Sequence, residues 1–345
     1  MLKVPVAESV GMVLCHDITR IIPGREKGRA FRKGQILTKE DVPKLRDLGK
    51  EHIYVWENSA DHVHEDEAAL RLARIAAGPG LNWDEPNQGK VSLRAAYDGM
   101  LKVQGDRLNH LNSLEGVVLA TVHNNRVVAK DQLVAGTRII PLTIQRQILD
   151  EADEICNGAE PLLFVKPFQP LSVGVITTGS EVYSGRIEDG FTRVVSKKVA
   201  SYGAQIFRHV ILPDDPHLIT TEIRRMVGQG AGLVILTGGM SVDPDDVTPT
   251  GIKATGADVV SYGAPVLPGS MFMLAYLGQV PVCGLPGCVM YNKITVFDLV
   301  LPRIFSGERL TKADIVALGQ GGLCEECQVC RYPACAFGKA TEIYY

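Results

Sequence analysis

Four short segments of this chain place glycine beside hydroxyl, thiol or acidic groups. They are Thr178-Gly179-Ser180-Glu181, Gly238-Gly239-Met240-Ser241, Pro286-Gly287-Cys288 and Pro268-Gly269-Ser270. The first three each follow an apolar run of strand character, and the fourth precedes one. Glycine lets the backbone approach a ligand closely and adopt positive φ. Amide groups exposed at such turns form an anion site, and a phosphate is the natural guest. One such turn by itself is equally a tight loop. Four of them point to a ligand crevice. Neither the dinucleotide pattern G-x-G-x-x-G after a strand nor the triphosphate pattern G-x-x-x-x-G-K-[ST] occurs, so a redox enzyme using nicotinamide is weakly supported.

Acidic residues crowd the same turns. Asp243, Asp245 and Asp246 follow Gly239, and Glu181 sits on the first turn. Carboxylates repel a phosphate unless a cation intervenes, and Mg²⁺ held by one or two carboxylates plus phosphate oxygens is the usual one. The alternative is a solvated loop in which Asp246 caps a short helix over 249–253.

Four of the cysteines lie together near the end of the sequence as Cys324-x2-Cys327-x2-Cys330-x4-Cys335, while Cys15, Cys156, Cys283 and Cys288 are scattered. The cluster reads as a metal site, with three readings open: a [4Fe–4S] cluster, a tetrahedral Zn²⁺ ion, or redox-active thiols. Glycines at 319–322 form a hinge before it.

The elements that must carry these groups are clearest over 171–306. An apolar strand over 171–177 leads into the first turn, and a helical face formed by Phe191, Val194, Val195, Val199 and Tyr202 ends at Gly203. A strand over 205–212, a helix over 217–227 and a strand over 232–237 follow, which is a β-α-β-α-β order with short connections. Strands near 271–277 and 281–285 and one long apolar helix over 290–305 complete the segment. The expected fold class is α/β, a doubly wound, mostly parallel sheet preceded by a smaller α+β region and followed by a Cys-rich tail.

The preceding chain is less regular. Residues 1–58 read as short strands near 10–15 and 52–56 around a helix that Thr38 caps, with Asp41 three residues on. Over 59–170, helices are expected at 65–77, 93–103 and 144–155, with a hairpin joining 117–122 to 126–129. The resulting division is 1–58, a cap or linker region 59–170, a ligand-binding domain 171–310 and a metal-binding tail 311–345.

The segment 237–249, TGGMSVDPDDVTP, resembles the molybdopterin-binding domain shared by molybdopterin adenylyltransferases and molybdopterin molybdenumtransferases. Thr178-Gly179-Ser180-Glu181, the spacing from Gly185 to Gly203 around Asp189, Leu212-Pro213-Asp214-Asp215 and Leu285-Pro286-Gly287 agree with it. Residues 33–49 are similar to the segment before this domain in molybdenumtransferases. The resemblance implies molybdopterin, or the finished molybdenum cofactor, lying over Thr178, Gly179, Ser180, Gly238, Gly239, Met240, Ser241, Asp243, Pro268, Gly269, Ser270, Pro286, Gly287 and Cys288. It implies Asp246 and Glu181 as the catalytic acids that position Mg²⁺ or molybdate.

Departures from the family pattern matter. Ser180 stands where an aspartate is usual, Asp189-Gly190-Phe191 replaces Asp-Ser-Asn, Cys288 replaces asparagine, the lysine expected near 268–271 is missing, and Ala96-Tyr97-Asp98-Gly99 is a faint echo of the Ser-x-Met-Asp-Gly-Tyr-Ala signature. Binding tolerates these losses better than metal insertion or adenylyl transfer does. Two functions follow: a transferase of molybdenum cofactor biosynthesis, or a non-catalytic carrier that delivers cofactor to a molybdoenzyme client. At a helix N-terminus the Cys288 thiol would have a lowered pKa and touch molybdenum or the dithiolene; otherwise it is a small buried turn residue.

The balance of the chain fits this picture. It has 345 residues, 46% hydrophobic and 22% charged, with net charge −3, so no basic field attracts nucleic acid. No apolar run reaches the ~20 residues that span a bilayer. A cytoplasmic protein is expected, free to form homo-oligomers.

Overall fold

The computed structural model describes residues 1–22, 26–55 and 61–339. The chain divides into two compact units. One comprises 1–96, 103–122 and 130–164, and the other 97–102, 123–129 and 165–345.

The second unit is built on a six-stranded sheet. Its elements are β1 (Ser172–Thr178), α1 (Phe191–Ala200), β2 (Gln205–Leu212), α2 (Pro216–Gly228), β3 (Leu233–Thr237), α3 (Thr248–Ala254), β4 (Asp258–Tyr262), β5 (Met273–Leu277), β6 (Val280–Leu285), α4 (Val296–Phe305) and α5 (Lys312–Ala317). The sheet order is β2-β1-β3-β6-β5-β4. The first four strands run parallel, and β5 and β4 add an antiparallel edge. This is the doubly wound, mostly parallel α/β fold that the sequence predicts.

Burial on both faces explains the continuous apolar strands. Along β3, Leu233 and Ile235 enter one core with Val195, Val199, Phe297 and Phe305. Val234 and Leu236 enter the other, with Ile219, Ile223, Met226 and Ile252. Asp215 caps α2, its carboxylate accepting from the amides of His217 and Leu218, and Pro216 stands at the first helical position. Register then aligns the carboxyl ends. Thr177 sits opposite Thr237, and Thr237 opposite Leu285, so the turns after β1, β3 and β6 emerge at one edge.

The helix expected over 290–305 is broken. A 3₁₀ turn spans Gly287–Met290, and α4 starts afresh after Thr295. Thr295 and Asp298 form a capping box that supplies the orphan amides of a new N-terminus.

In the first unit an antiparallel sheet joins Leu81–Trp83, Lys90–Ala95, Leu133–Ile139 and Val117–Thr121 in that order, with the helix Glu65–Ala76 packed on it. Several expectations for the chain before residue 165 fail. The helix over 93–103 is instead the strand Lys90–Ala95 and the strand Gly99–Val103. Val91, Leu93 and Ala95 alternate with more exposed neighbours, a period of two that a short apolar run hides. The hairpin is absent, because Val117–Thr121 pairs with Leu133–Ile139 whereas Arg126–Val128 pairs with Gly99–Val103 in another sheet. The strand near 10–15 is reduced to bridges at Val13 and Leu14, and Leu2–Pro5 pairs with His52–Val55 instead. Trp56 lies outside the described residues. The helix Asp41–Asp47 starts later than expected, and Thr38 donates to the Asp41 carboxylate rather than capping it.

Candidate functional site

Threonines tie the carboxyl edge of the sheet together. The hydroxyls of Thr178 and Thr248 are 2.9 Å apart, Thr248 donates to the Gly238 carbonyl at 3.0 Å, and Thr178 donates to the Thr237 carbonyl at 3.3 Å. This close packing leaves no room for side chains on the second turn. Gly238 has φ +87°, and a Cβ there would lie 2.1 Å from the Thr178 carbonyl oxygen. Gly239 has φ +54°, and its Cβ would lie 2.7 Å from Thr248 Oγ1.

Three of the four glycine turns open on one cavity of about 450 Å³. Its wall is made by 238–241, 267–271, 285–288 and the carboxylate-bearing Asp246. The structure therefore brings together Gly238, Gly239, Met240, Ser241, Asp246, Pro268, Gly269, Ser270, Pro286, Gly287 and Cys288. Asp243 is exposed on the neighbouring loop, and its amide donates to Asp246 Oδ2 at 3.3 Å. Asp246 does not cap α3, whose N-cap is Val247 with no side-chain hydrogen bond. Above Met240 and Ser241, the Tyr262 hydroxyl reaches both carbonyls at 3.5 Å. Burial, reinforced by the charge of Asp246, pushes its pKa up. Nothing in the sequence pattern singled out Tyr262, which the antiparallel strand β4 brings in from the sheet edge.

The first turn abuts this cavity through Thr178 but does not line it. Its amide is already engaged. Asp214, from the loop after β2, accepts from the Ser180 amide at 2.7 Å and from the Ser180 hydroxyl at 2.9 Å. Glu181 is exposed, and its carboxylate folds back to within 2.9 Å of the position a Gly179 Cβ would take. Thus Thr178, Gly179, Ser180 and Glu181 stand beside the crevice.

A second polar cluster gathers at Asp189, which the sequence marked only through the family spacing. Asp189 accepts from the amides of Phe191 and Thr192 at 2.8 and 3.3 Å, from Thr177 at 3.1 Å and from the Thr192 hydroxyl, with His209 Nε2 at 3.2 Å. Burial raises the Asp189 pKa, but these hydrogen bonds outweigh it and hold the carboxyl below the usual range. The signal was the lone aspartate before α1, whose first-turn amides lack intrahelical partners.

The expectation of a lowered thiol pKa at Cys288 is corrected. Gly287–Met290 is a 3₁₀ turn rather than the start of a long helix, so it carries little dipole, and burial pushes the half-buried thiol up.

The four tail cysteines are unpaired and line a separate cavity of about 270 Å³. Among the described residues, no three His, Cys, Asp or Glu side chains are grouped to hold a metal ion. No helix among the described residues is long and apolar enough to cross a membrane.

Residues 174–306 match the model of a family described as a probable molybdopterin-binding domain. Residues 3–57 match a domain of unknown function. Comparison with whole proteins finds relatives over part of the chain. A molybdopterin molybdenumtransferase of Haemophilus influenzae is 28% identical over 170 residues, covering 46% of this chain and 42% of that protein. A CinA-like protein of Mycobacterium avium is 31% identical over 75 residues, covering 22% of this chain and 17% of that protein. The chain thus spans less than half the length of either relative. The solved structure of the molybdopterin biosynthesis enzyme MoaB of Thermus thermophilus aligns over 40% of this chain and 98% of its own, with 18% identity and a TM-score of 0.33.

Proposed function

We propose that this chain binds molybdopterin in the cavity formed by 238–241, 267–271 and 285–288, and that it acts in molybdenum cofactor biosynthesis. The observation that carries the reading is convergence: glycine turns from separate parts of the chain form one cavity within a domain of the molybdopterin-binding family. Backbone amides at the turns would take the terminal phosphate, and the apolar parts of Met240, Leu267 and Leu285 would flank the pterin rings. Mg²⁺ suits the donor set, since Asp246 is a carboxylate on the wall and the cation needs one or two of these besides phosphate oxygens. When bound, Mg²⁺ would neutralise phosphate charge. Asp246 would hold it in place, with the Asp243 amide fixing the carboxylate orientation.

Whether the domain turns over or only carries its ligand depends on the first turn. Ser180 supplies no carboxylate, and Asp214 occupies its amide, which favours a carrier that hands cofactor to a molybdoenzyme client. Anaerobic purification followed by fluorescence of the oxidised pterin tests the binding claim, and a chain that retains no pterin would overturn it. Incubation with molybdopterin, ATP and molybdate then separates the two functions. Turnover that disappears in Asp246→Asn while pterin stays bound supports transfer. Retention without turnover supports the carrier.

A further inference from the structure

We propose that Cys324, Cys327, Cys330 and Cys335 together bind one [4Fe–4S] cluster against the wall of the crevice. All four thiols line a single cavity of about 270 Å³; in the two-cluster ferredoxin run C-x2-C-x2-C-x3-C the fourth cysteine serves the other cluster, whereas Cys335, with four residues between it and Cys330, lines the same cavity as the first three. Among the described residues no three of them are gathered to hold a single ion. A Zn²⁺ ion draws four sulfurs to about 2.3 Å from a common centre. In a cluster each thiolate bonds a different iron, so the sulfurs stand apart around a larger body. A cavity of about 270 Å³ with all four thiols on its wall is suited to such a body.

The loop is prepared at both ends and hollow in the middle. At its start, the Leu267 amide donates to the Gly322 carbonyl and the Cys324 amide to the Leu267 carbonyl, both at 2.8 Å. At its end Phe337 is buried in the core, and the Gly338 amide donates to the Gly321 carbonyl at 2.9 Å. Between these anchors Val329 is 73% exposed, while Tyr332 packs on the core and its hydroxyl donates to the Asp298 carbonyl at 3.1 Å. A short loop of this kind gains its fold from what it binds. Ile294, Tyr332 and Phe337 give the cavity an apolar wall, and Lys293 and Arg331 bring positive charge toward an anionic cluster, with Glu325 and Glu326 opposing them. Leu267 also lines the crevice, so the cluster and the ligand would share a wall.

Binding requires no oxidant. When a preassembled [4Fe–4S] tetrathiolate complex is the donor, each cysteine thiol passes its proton to a departing small thiolate. One cysteine–iron bond then replaces one thiolate–iron bond, and the cluster keeps its oxidation state. The test offers this complex to the full chain under anaerobic conditions and, after desalting, measures iron, sulfide and visible absorption. It uses no pterin, so its outcome is separate from the ligand reading. The expected result is about four irons and four sulfides per chain, with absorption that dithionite bleaches. The double variant Cys327→Ala/Cys330→Ala, altered at two exposed positions, should lose both, whereas Cys15→Ala/Cys156→Ala should keep them. A wild-type chain that retains no iron overturns the proposal. So does a cluster that survives in the Cys327/Cys330 variant, or one tightly held Zn²⁺ per chain that the complex does not displace.

Discussion

Single positions on the sheet edge carry testable costs. At Gly238 both the positive φ and the 2.1 Å approach to the Thr178 carbonyl exclude a side chain. Gly238→Ala should therefore destabilise the second unit by about 2–4 kcal/mol in urea unfolding. Gly203→Ala, at φ +74° with nothing within 4 Å of the new Cβ, should cost only about 1–2 kcal/mol. Equal costs at the two sites would refute the close packing. Asp189 makes a pH-dependent contribution. Its pKa is depressed in the fold, so its stabilisation is complete above the ordinary aspartate value of 3.8 and is lost as pH falls through the lower folded value. Asp189→Asn should cost about 1–2 kcal/mol at neutral pH, and its deficit should shrink in acid. A deficit independent of pH would count against the carboxylate being the source. The glycines at 238, 239 and 269 were legible in the sequence because few residues other than glycine suit such turns. Tyr262 and His209 were not, because their importance arises from neighbours distant along the chain.

At the scale of elements, the sequence foretold most strands and helices of 171–306 but not the edge strand Asp258–Tyr262. Continuous apolar strands and 3.6-residue helical faces are strong signals when each element packs on both sides. It failed where an apolar stretch was long enough to hide an internal start. Thr295 and Asp298 form a capping box inside the run 290–305, and the box decides where α4 begins. Thr295 is fully buried. Thr295→Ala should lower stability by about 1–2 kcal/mol, seen as a lower urea midpoint with an unchanged slope. An unchanged midpoint would mean that packing alone sets the helix start. The failures over 93–103 and 117–129 have a different cause. These short strands pair with segments that are not their sequence neighbours, and local periodicity carries no information about partners.

At the scale of the molecule, the second unit recruits 97–102 and 123–129 from the middle of the chain. Lys102 brings a cation against Glu308 at 2.8 Å, and Glu308 also pairs with Arg303 at 2.8 Å. Burial raises the Glu308 pKa, but Lys102 and Arg303 outweigh it and hold the carboxyl below its ordinary 4.5. Its stabilisation is thus present above that value and lost as pH drops through the folded one. Glu308→Gln would leave two cations nearly buried without their shared anion, and should cost about 3 kcal/mol or more at neutral pH. A neutral effect in thermal or urea unfolding would show that solvent already screens the trio.

The amino-acid sequence by itself determined the parallel α/β core and the places where the backbone must turn through glycine. Both follow from local rules, since two-sided burial favours unbroken apolar strands and positive φ favours glycine. Only the tertiary structure decided which turns share a cavity. The turns at 238, 269 and 287 came together because strand register aligns the ends of β3 and β6 and because the antiparallel edge folds back beside them. The first turn stayed outside, since Asp214 from a different loop reached its amide. Long-range pairing of this kind depends on which surfaces meet once the sheet has formed, and no spacing along the chain encodes it.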